Sequence, residues 1–140
     1  MEIKKLETEK IQIKSPIRSF EDLEVYKLAR EFRKKIYRLT KKLPADEKFN
    51  LISQMRRAAL SLTNNIAEGY GRYHYQENIQ FCRQARGSLC ELIDDLNACL
   101  DEEYIFTKEH PILHQEAEHL WKVLNGYIAK TQRLQRESIS

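Results

Sequence analysis

Glycine and proline are scarce in this chain of 140 residues, at four and three. A β fold with many tight turns needs more of both, so long helices joined by few connections are favoured. No apolar run approaches the roughly 20 residues of a membrane-spanning helix. The opening MEIKKLETEK has no signal-peptide core. A soluble, cytoplasmic protein is the expectation. Catalytic signatures are also missing: there is no nucleophile elbow, no P-loop and no GxGxxG. Gly69-Tyr70-Gly71 lacks the Lys-Ser/Thr of a phosphate loop and follows a helical pattern, not a strand. HExxH is absent, because His114 and His119 are five residues apart. His110 and His114 share a helix face, and Glu116 to His119 supplies one Glu-x-x-His. A di-iron bundle needs two such motifs plus two further inward carboxylates. Asp94 and Asp95 are adjacent, so they point about 100° apart on a helix and make a poor acid–base pair. No catalytic residue, no metal and no cofactor are expected, so the chain does not read as an enzyme.

Cys82, Cys90 and Cys99 all fall on one predicted helix. The nearest pair is separated by about 12 Å along the axis, beyond disulfide reach. An odd count without CxxC reads as reduced, buried thiols of a cytosolic protein. Cys82 and Cys99 lie on the core stripe as small hydrophobes.

What the chain does have is apolar residues at helical spacing. Hydrophobic content of 41% and charged content of 32% suit one domain with a real core. Residues 1–18 read as a mixed-charge N-terminal arm with weak β character at Ile11-Gln12-Ile13, stopped by Pro16. Residues 19–140 read as an all-α, antiparallel up-down-up-down four-helix bundle. Ser19-Phe20-Glu21-Asp22 opens the first helix as a capping box. It runs to about Lys42 with Val25, Ala29, Phe32, Ile36, Leu39 and Leu43 inward. Pro44 and Asp46 open the second, which buries Ile52, Met55, Ala59, Leu62 and Ile66 and ends near Gly69, where a positive φ is expected. The third spans about Gln76 to Glu103, with Ile79, Cys82, Ala85, Leu89, Leu92, Leu96 and Cys99 inward. The fourth runs from Lys108–Pro111 to about Arg136 and buries Leu113, Ala117, Leu120, Leu124, Ile128 and Leu134, flanked by Trp121 and Tyr127.

Charge is unevenly spread. Residues 1–70 carry a net charge of +6 and residues 71–140 one of −3. Lys27, Arg30, Lys34, Arg38 and Lys41 recur every three or four residues, which places them in a continuous ridge on the outer side of the first helix. The C-terminal half of the third is acidic, with Glu91, Asp94, Asp95, Asp101, Glu102 and Glu103. Carboxylates there oppose the helix dipole, which suggests a positive partner nearby. Such a split suits nucleic-acid binding or head-to-tail self-association.

The most informative stretch is Gln54 to Arg72, QMRRAALSLTNNIAEGYGR. Arg56, Arg57, Ser61, Asn64, Asn65 and Glu68 make a polar ledge beside its apolar stripe. Short Ser and Asn side chains weaken a helix by competing for backbone hydrogen bonds. Their clustering therefore asks for a reason: contact with another helix or subunit, or a polar binding surface.

This stretch resembles the four-helix bundle family of 23S rRNA intervening sequence proteins, whose pattern runs close to Q-x-R-R-A-A-x-S-I-P-x-N-I-A-E-G-x-G-R. Gln54, Arg56, Arg57, Ala58, Ala59, Ser61, Asn65, Ile66, Ala67, Glu68, Gly69, Gly71 and Arg72 match it. Phe20-Glu21-Asp22-Leu23, Leu43-Pro44, Gly87-Ser88-Leu89 and Leu124-Asn125-Gly126 extend the resemblance over roughly residues 20 to 130. Thr63 stands where the family has proline, and Tyr73-His74-Tyr75 replaces a short Lys/Ser-rich link. The resemblance implies Arg56, Arg57, Asn65, Glu68, Gly69, Gly71 and Arg72 as structural or interface residues. It also implies a ring-forming homopentamer. A structurally similar pentameric bundle is an accessory protein of diversity-generating retroelements, where it binds nucleic acid and a reverse transcriptase.

Two functional classes follow. The favoured one is a non-catalytic oligomer that binds RNA or DNA. Lys27, Arg30, Lys34, Arg38, Arg56, Arg57 and Arg72 would contact phosphates, and Tyr73 and Tyr75 would stack on bases. The other is a protein–protein adaptor or structural ring with no nucleic-acid role.

Overall fold

The computed structural model describes residues 16–139, so Ile11-Gln12-Ile13 and most of the expected arm lie outside the described residues. Four α-helices dominate: α1 (Glu24–Thr40), α2 (Ser53–Gly71), α3 (Tyr75–Asp101) and α4 (Glu109–Ile139). No strand occurs among the described residues. Each helix packs on its neighbour in sequence, and α4 returns to α1. Contacts run in opposite directions along each pair. Ser61 of α2 meets Ser88 of α3, while the earlier Gln54 meets the later Asp95. On α4, Asn125 meets Arg86 and Tyr127 meets Asn78. The bundle is therefore antiparallel, as the short connections require.

Its core is the set of inward stripes read from the sequence. Phe32, Ile36, Met55, Leu62, Ile66, Leu89, Leu92, Leu96, Leu120 and Leu124 are fully buried. Burial of each such side chain is worth about 1.5–3 kcal/mol relative to exposure. Cys82 and Cys99 sit among them, where desolvation pushes their thiols up to about 12 and about 11. Both stay protonated and inert. Cys90, by contrast, is exposed and not a core thiol.

Several boundaries differ from the sequence reading, each for a local reason. The Ser19 capping box exists, but it caps a short 3-10 turn, Phe20–Asp22. Leu23 then turns extended, and α1 starts at Glu24. Backbone N–H groups of Arg18 and Ser19 donate to the Asp22 carboxylate and hold its pKa below the ordinary value. Before α2, a π-turn over Lys48–Ile52 inserts an extra residue per turn. That shifts the helical phase, so Leu51 is buried and Ile52 only half-buried. Toward the ends of α4, Leu113 is only half-buried and Leu134 is 36% exposed, so neither belongs to the core proper.

Gly69 departs most from expectation. No glycine has a positive φ among the described residues. The helix continues through Gly69 to Gly71, and it is Tyr73 that turns left-handed, at φ 59°. Gly69 serves packing instead. A Cβ there would lie 2.7 Å from Asn78 Oδ1, 3.0 Å from Phe81 Cβ and 3.1 Å from the Asn78 carbonyl oxygen. Only a bare Cα lets α3 come this close.

Candidate nucleic-acid interface

The basic ridge forms as its spacing predicts: Lys27, Arg30, Lys34, Arg38 and Lys41 are all exposed on α1. One of them is answered locally, since Lys34 Nζ lies 3.2 Å from Glu31 Oε1. An exposed pair one helical turn apart contributes little and is easily exchanged for another anion.

The structure adds a wall to this ridge. Arg56 of α2 reaches across to α1, its Nε donating to Thr40 Oγ1 at 2.8 Å. Its guanidinium lies 5.1 Å from the Tyr37 ring centroid, a cation–π geometry. Thr40 is oriented for this by donating its own hydroxyl to the Tyr37 carbonyl oxygen at 2.7 Å. Next along, Arg33 Nη1 donates to Thr63 Oγ1 at 2.7 Å. Both arginines are thus pinned by neutral oxygens, which orient the guanidinium without neutralising it. Between the two helices runs a groove of about 510 Å³ lined by Arg33, Lys34, Tyr37, Arg38, Lys41 and Arg56. Five cations and a phenol line it, and no carboxylate does among the described residues.

The other sequence candidates lie elsewhere. Arg57 is exposed on α2 and makes only a 3.5 Å contact to Ser53 Oγ. Arg72 follows Arg56 by 16 residues, which is about 24 Å along a helix. It is engaged by Glu68 at 2.9 Å and Glu77 at 3.8 Å, and it stacks 5.3 Å from the Phe81 ring. Its charge is largely answered within the chain. With Phe20, Asn64, Asn65, Glu68 and Gly71 it borders an open hollow of about 540 Å³. Tyr73 and Tyr75 sit at that same end of the bundle, 88% and 42% exposed.

Two residues of the α2 polar ledge, Ser61 and Asn65, form a seam between helices, while Arg57, Asn64 and Glu68 stay exposed. Asn65 Nδ2 donates to both Ser61 O and Ser61 Oγ at 2.9 Å, and Ser88 Oγ of α3 donates to Ser61 Oγ at 3.0 Å. Gln54 Nε2 donates to Asp95 Oδ1 at 3.2 Å on the same seam. Short polar side chains are what permit two helices to approach and still satisfy their hydrogen bonds. Thr63 fits this economy too, filling a buried site with a hydroxyl bonded to Leu60 O and Arg33.

Sequence reasoning missed Arg33 and Tyr37. They occupy i and i+4 immediately beside the buried Phe32 and Ile36, so a helical wheel would have marked them as the rim facing α2. The acidic half of α3 finds no ion pair among the described residues. Asp95 is the acute case. It is 4% exposed, its Oδ2 has no hydrogen-bond partner among the described residues, and desolvation, with Asp94 and Glu91 nearby, pushes its pKa up to about 6. His110 Nε2, in its protonated tautomer, donates to Asn97 Oδ1 at 2.9 Å, and His114 lies 3.1 Å from Glu118. No helix among the described residues is long and apolar enough to cross a membrane.

The family model described as 23S rRNA-intervening sequence protein matches residues 21–126. The match takes in all of α1, α2 and α3, the seam, the basic groove and half of α4. No curated protein matches the chain. The chain belongs to the 23S rRNA-intervening sequence protein family.

Proposed function

We propose that this member of the family is a non-catalytic, oligomeric bundle that associates with nucleic acid through the α1–α2 groove. One observation carries the reading: Arg33, Lys34, Arg38, Lys41 and Arg56 converge on one groove whose lining holds no carboxylate. A phosphate backbone is the biological polyanion that such a row of cations fits best. Neutral anchoring of Arg33 and Arg56 holds two of the cations in place before a ligand arrives, which lowers the entropy cost of binding.

Titration with structured RNA, single-stranded RNA and duplex DNA at several salt concentrations tests this. Affinity is expected to fall steeply with salt. The double variant Lys34→Glu/Arg38→Glu is expected to weaken binding at least tenfold on all sequences alike. It should also flatten the salt slope by about 1 per lost contact. Undetectable binding at low salt would sink the reading.

The assembly is proposed to be a homo-oligomer, and the family resemblance favours a pentameric ring of cytoplasmic location. Its support here is surface left uncovered. Phe49 at 90%, Phe106 at 76% and Ile112 at 66% exposure crowd the end of the bundle where the α1–α2 and α3–α4 connections lie. Tyr104 Oη, bonded to Glu47 at 3.3 Å, ties those connections together. Light scattering at micromolar concentration is expected to give a multiple of the protomer mass, and Phe49→Ser/Phe106→Ser to reduce it. A monomer mass for the wild type rejects the oligomer. The same apolar end favours a second reading, an adaptor or structural ring without nucleic acid. An intact oligomer that ignores RNA and DNA would select it.

A further inference from the structure

At the end of the bundle opposite Phe49 and Phe106, a second cavity has a different chemistry. Its volume is about 410 Å³, within the usual range for small-ligand sites. Tyr73, Tyr75 and Tyr127 contribute aromatic wall, Leu134 an aliphatic one, and Asn78 and Lys130 the polar handles. No carboxylate lines it among the described residues. No ion pair among the described residues engages Lys130. Asn78 Nδ2 donates to Tyr127 Oη at 3.1 Å, which leaves the Tyr127 hydroxyl proton free to point into the cavity.

Tyr73 is the anomaly at its mouth. It holds φ at 59°, a conformation that costs a non-glycine residue free energy. The ring then stands 88% exposed, so the strain is not recovered by packing among the described residues. Glycine or asparagine would make the same turn at less cost. An exposed tyrosine kept there at an energetic penalty needs a return from a contact that the described residues do not supply.

We infer that this cavity binds a nucleotide unit, its planar base against Tyr73 and Tyr75 and its phosphate toward Lys130. Aromatic faces accept any base by stacking, and an unpaired ammonium beside them answers one phosphate. The unit has two sources, an unpaired base in a strand or a free mononucleotide. The strand source rests on the function proposed above. The base site is distant from the groove, so a strand held there by its phosphates would be gripped by a base here.

The test uses the full chain and two fluorescent probes. One is a ten-nucleotide uridine strand carrying a single 2-aminopurine, and the other is 2-aminopurine riboside monophosphate. Stacking quenches the fluorophore. Quenching of the strand alone assigns the site to nucleic acid, and quenching of the monophosphate assigns it to free nucleotide as well. In either case Tyr73→Ala is expected to weaken the quenching titration at least tenfold, Tyr73→Phe to restore it, and Lys130→Ala to weaken it severalfold and reduce its salt dependence. Tyr73→Gly separates binding from folding, because it should lose the quenching while raising the melting temperature. Strand binding without quenching overturns this site and leaves the groove reading standing. Quenching that survives Tyr73→Ala and Tyr75→Ala, or a Tyr73→Gly protein that melts lower, overturns it too.

Discussion

Gly69→Ala is expected to destabilise the bundle by about 1–3 kcal/mol, although alanine is the better helix former by about 1 kcal/mol. The new methyl group would meet Asn78 Oδ1, Phe81 Cβ and the Asn78 carbonyl oxygen at 2.7, 3.0 and 3.1 Å. The Asn78 amide could rotate away, but only by giving up its bond to Tyr127. The backbone carbonyl cannot rotate, so α2 and α3 must part near the end that also carries Tyr73 and Tyr75. Gly69→Val should cost more. Gly87→Ala and Gly126→Ala are the controls, because nothing lies within 4 Å of a Cβ at either. Each should raise stability by about 0.5–1 kcal/mol. Urea unfolding monitored by circular dichroism reads all four. If Gly69→Ala unfolds at or above the wild-type midpoint, the close approach is not what the glycine is for.

Stability should fall as pH rises from 4 to 6, and Asp95→Asn should abolish most of that fall. Burial, with Asp94 and Glu91 alongside, lifts the Asp95 pKa from 3.8 to about 6. The folded chain therefore holds this proton more tightly than the unfolded chain does. The stabilisation from the neutral carboxyl is full below the unfolded value, is lost as pH climbs toward 6, and stays lost above it. At about 1.4 kcal/mol per pKa unit, the cost of the ionised carboxylate at neutral pH is of the order of 2–3 kcal/mol. Asparagine keeps an oxygen for Gln54 Nε2 and carries no charge. Asp95→Asn is thus expected to melt about 5–10 °C higher than wild type at pH 7.5 and close to it at pH 4. A lower melting temperature at pH 7.5 would contradict this account. It would mean that Asp95 Oδ2, unpartnered among the described residues, is answered by a cation beyond them.

The fold was largely legible because a long amphipathic helix writes its inward face at a fixed period. Ile79, Cys82, Ala85, Leu89, Leu92, Leu96 and Cys99 all proved buried, and so did the α1 stripe from Val25 to Leu43. Periodicity failed where the period itself changed and toward the ends of α4, at Leu113 and Leu134. The π-turn before α2 exchanged Ile52 for Leu51, and no propensity rule announces a single inserted residue. Turn chemistry failed at Gly69 and Gly71, where two glycines marked a helix end correctly but not its left-handed residue, Tyr73.

The candidate site was less legible, since charge along a helix is local and convergence between helices is not. Lys34, Arg38 and Lys41 could be set on one ridge from spacing alone. That Arg56 joins them, that Arg33 and Tyr37 complete the wall, and that Arg72 is spent on Glu68 and Glu77 depends on which helix lies against which. By itself, the sequence determined four amphipathic helices, their order, their inward residues and the family, because these rest on period and pattern within one segment. Tertiary structure decided the rest: the seam that consumes Ser61 and Asn65, the contact that requires Gly69, the isolation of Asp95, and the separation of a cation-lined groove between α1 and α2 from an aromatic cavity at the far end of the bundle. Those depend on register between helices, a relation among side chains many residues apart that no window along a single chain records.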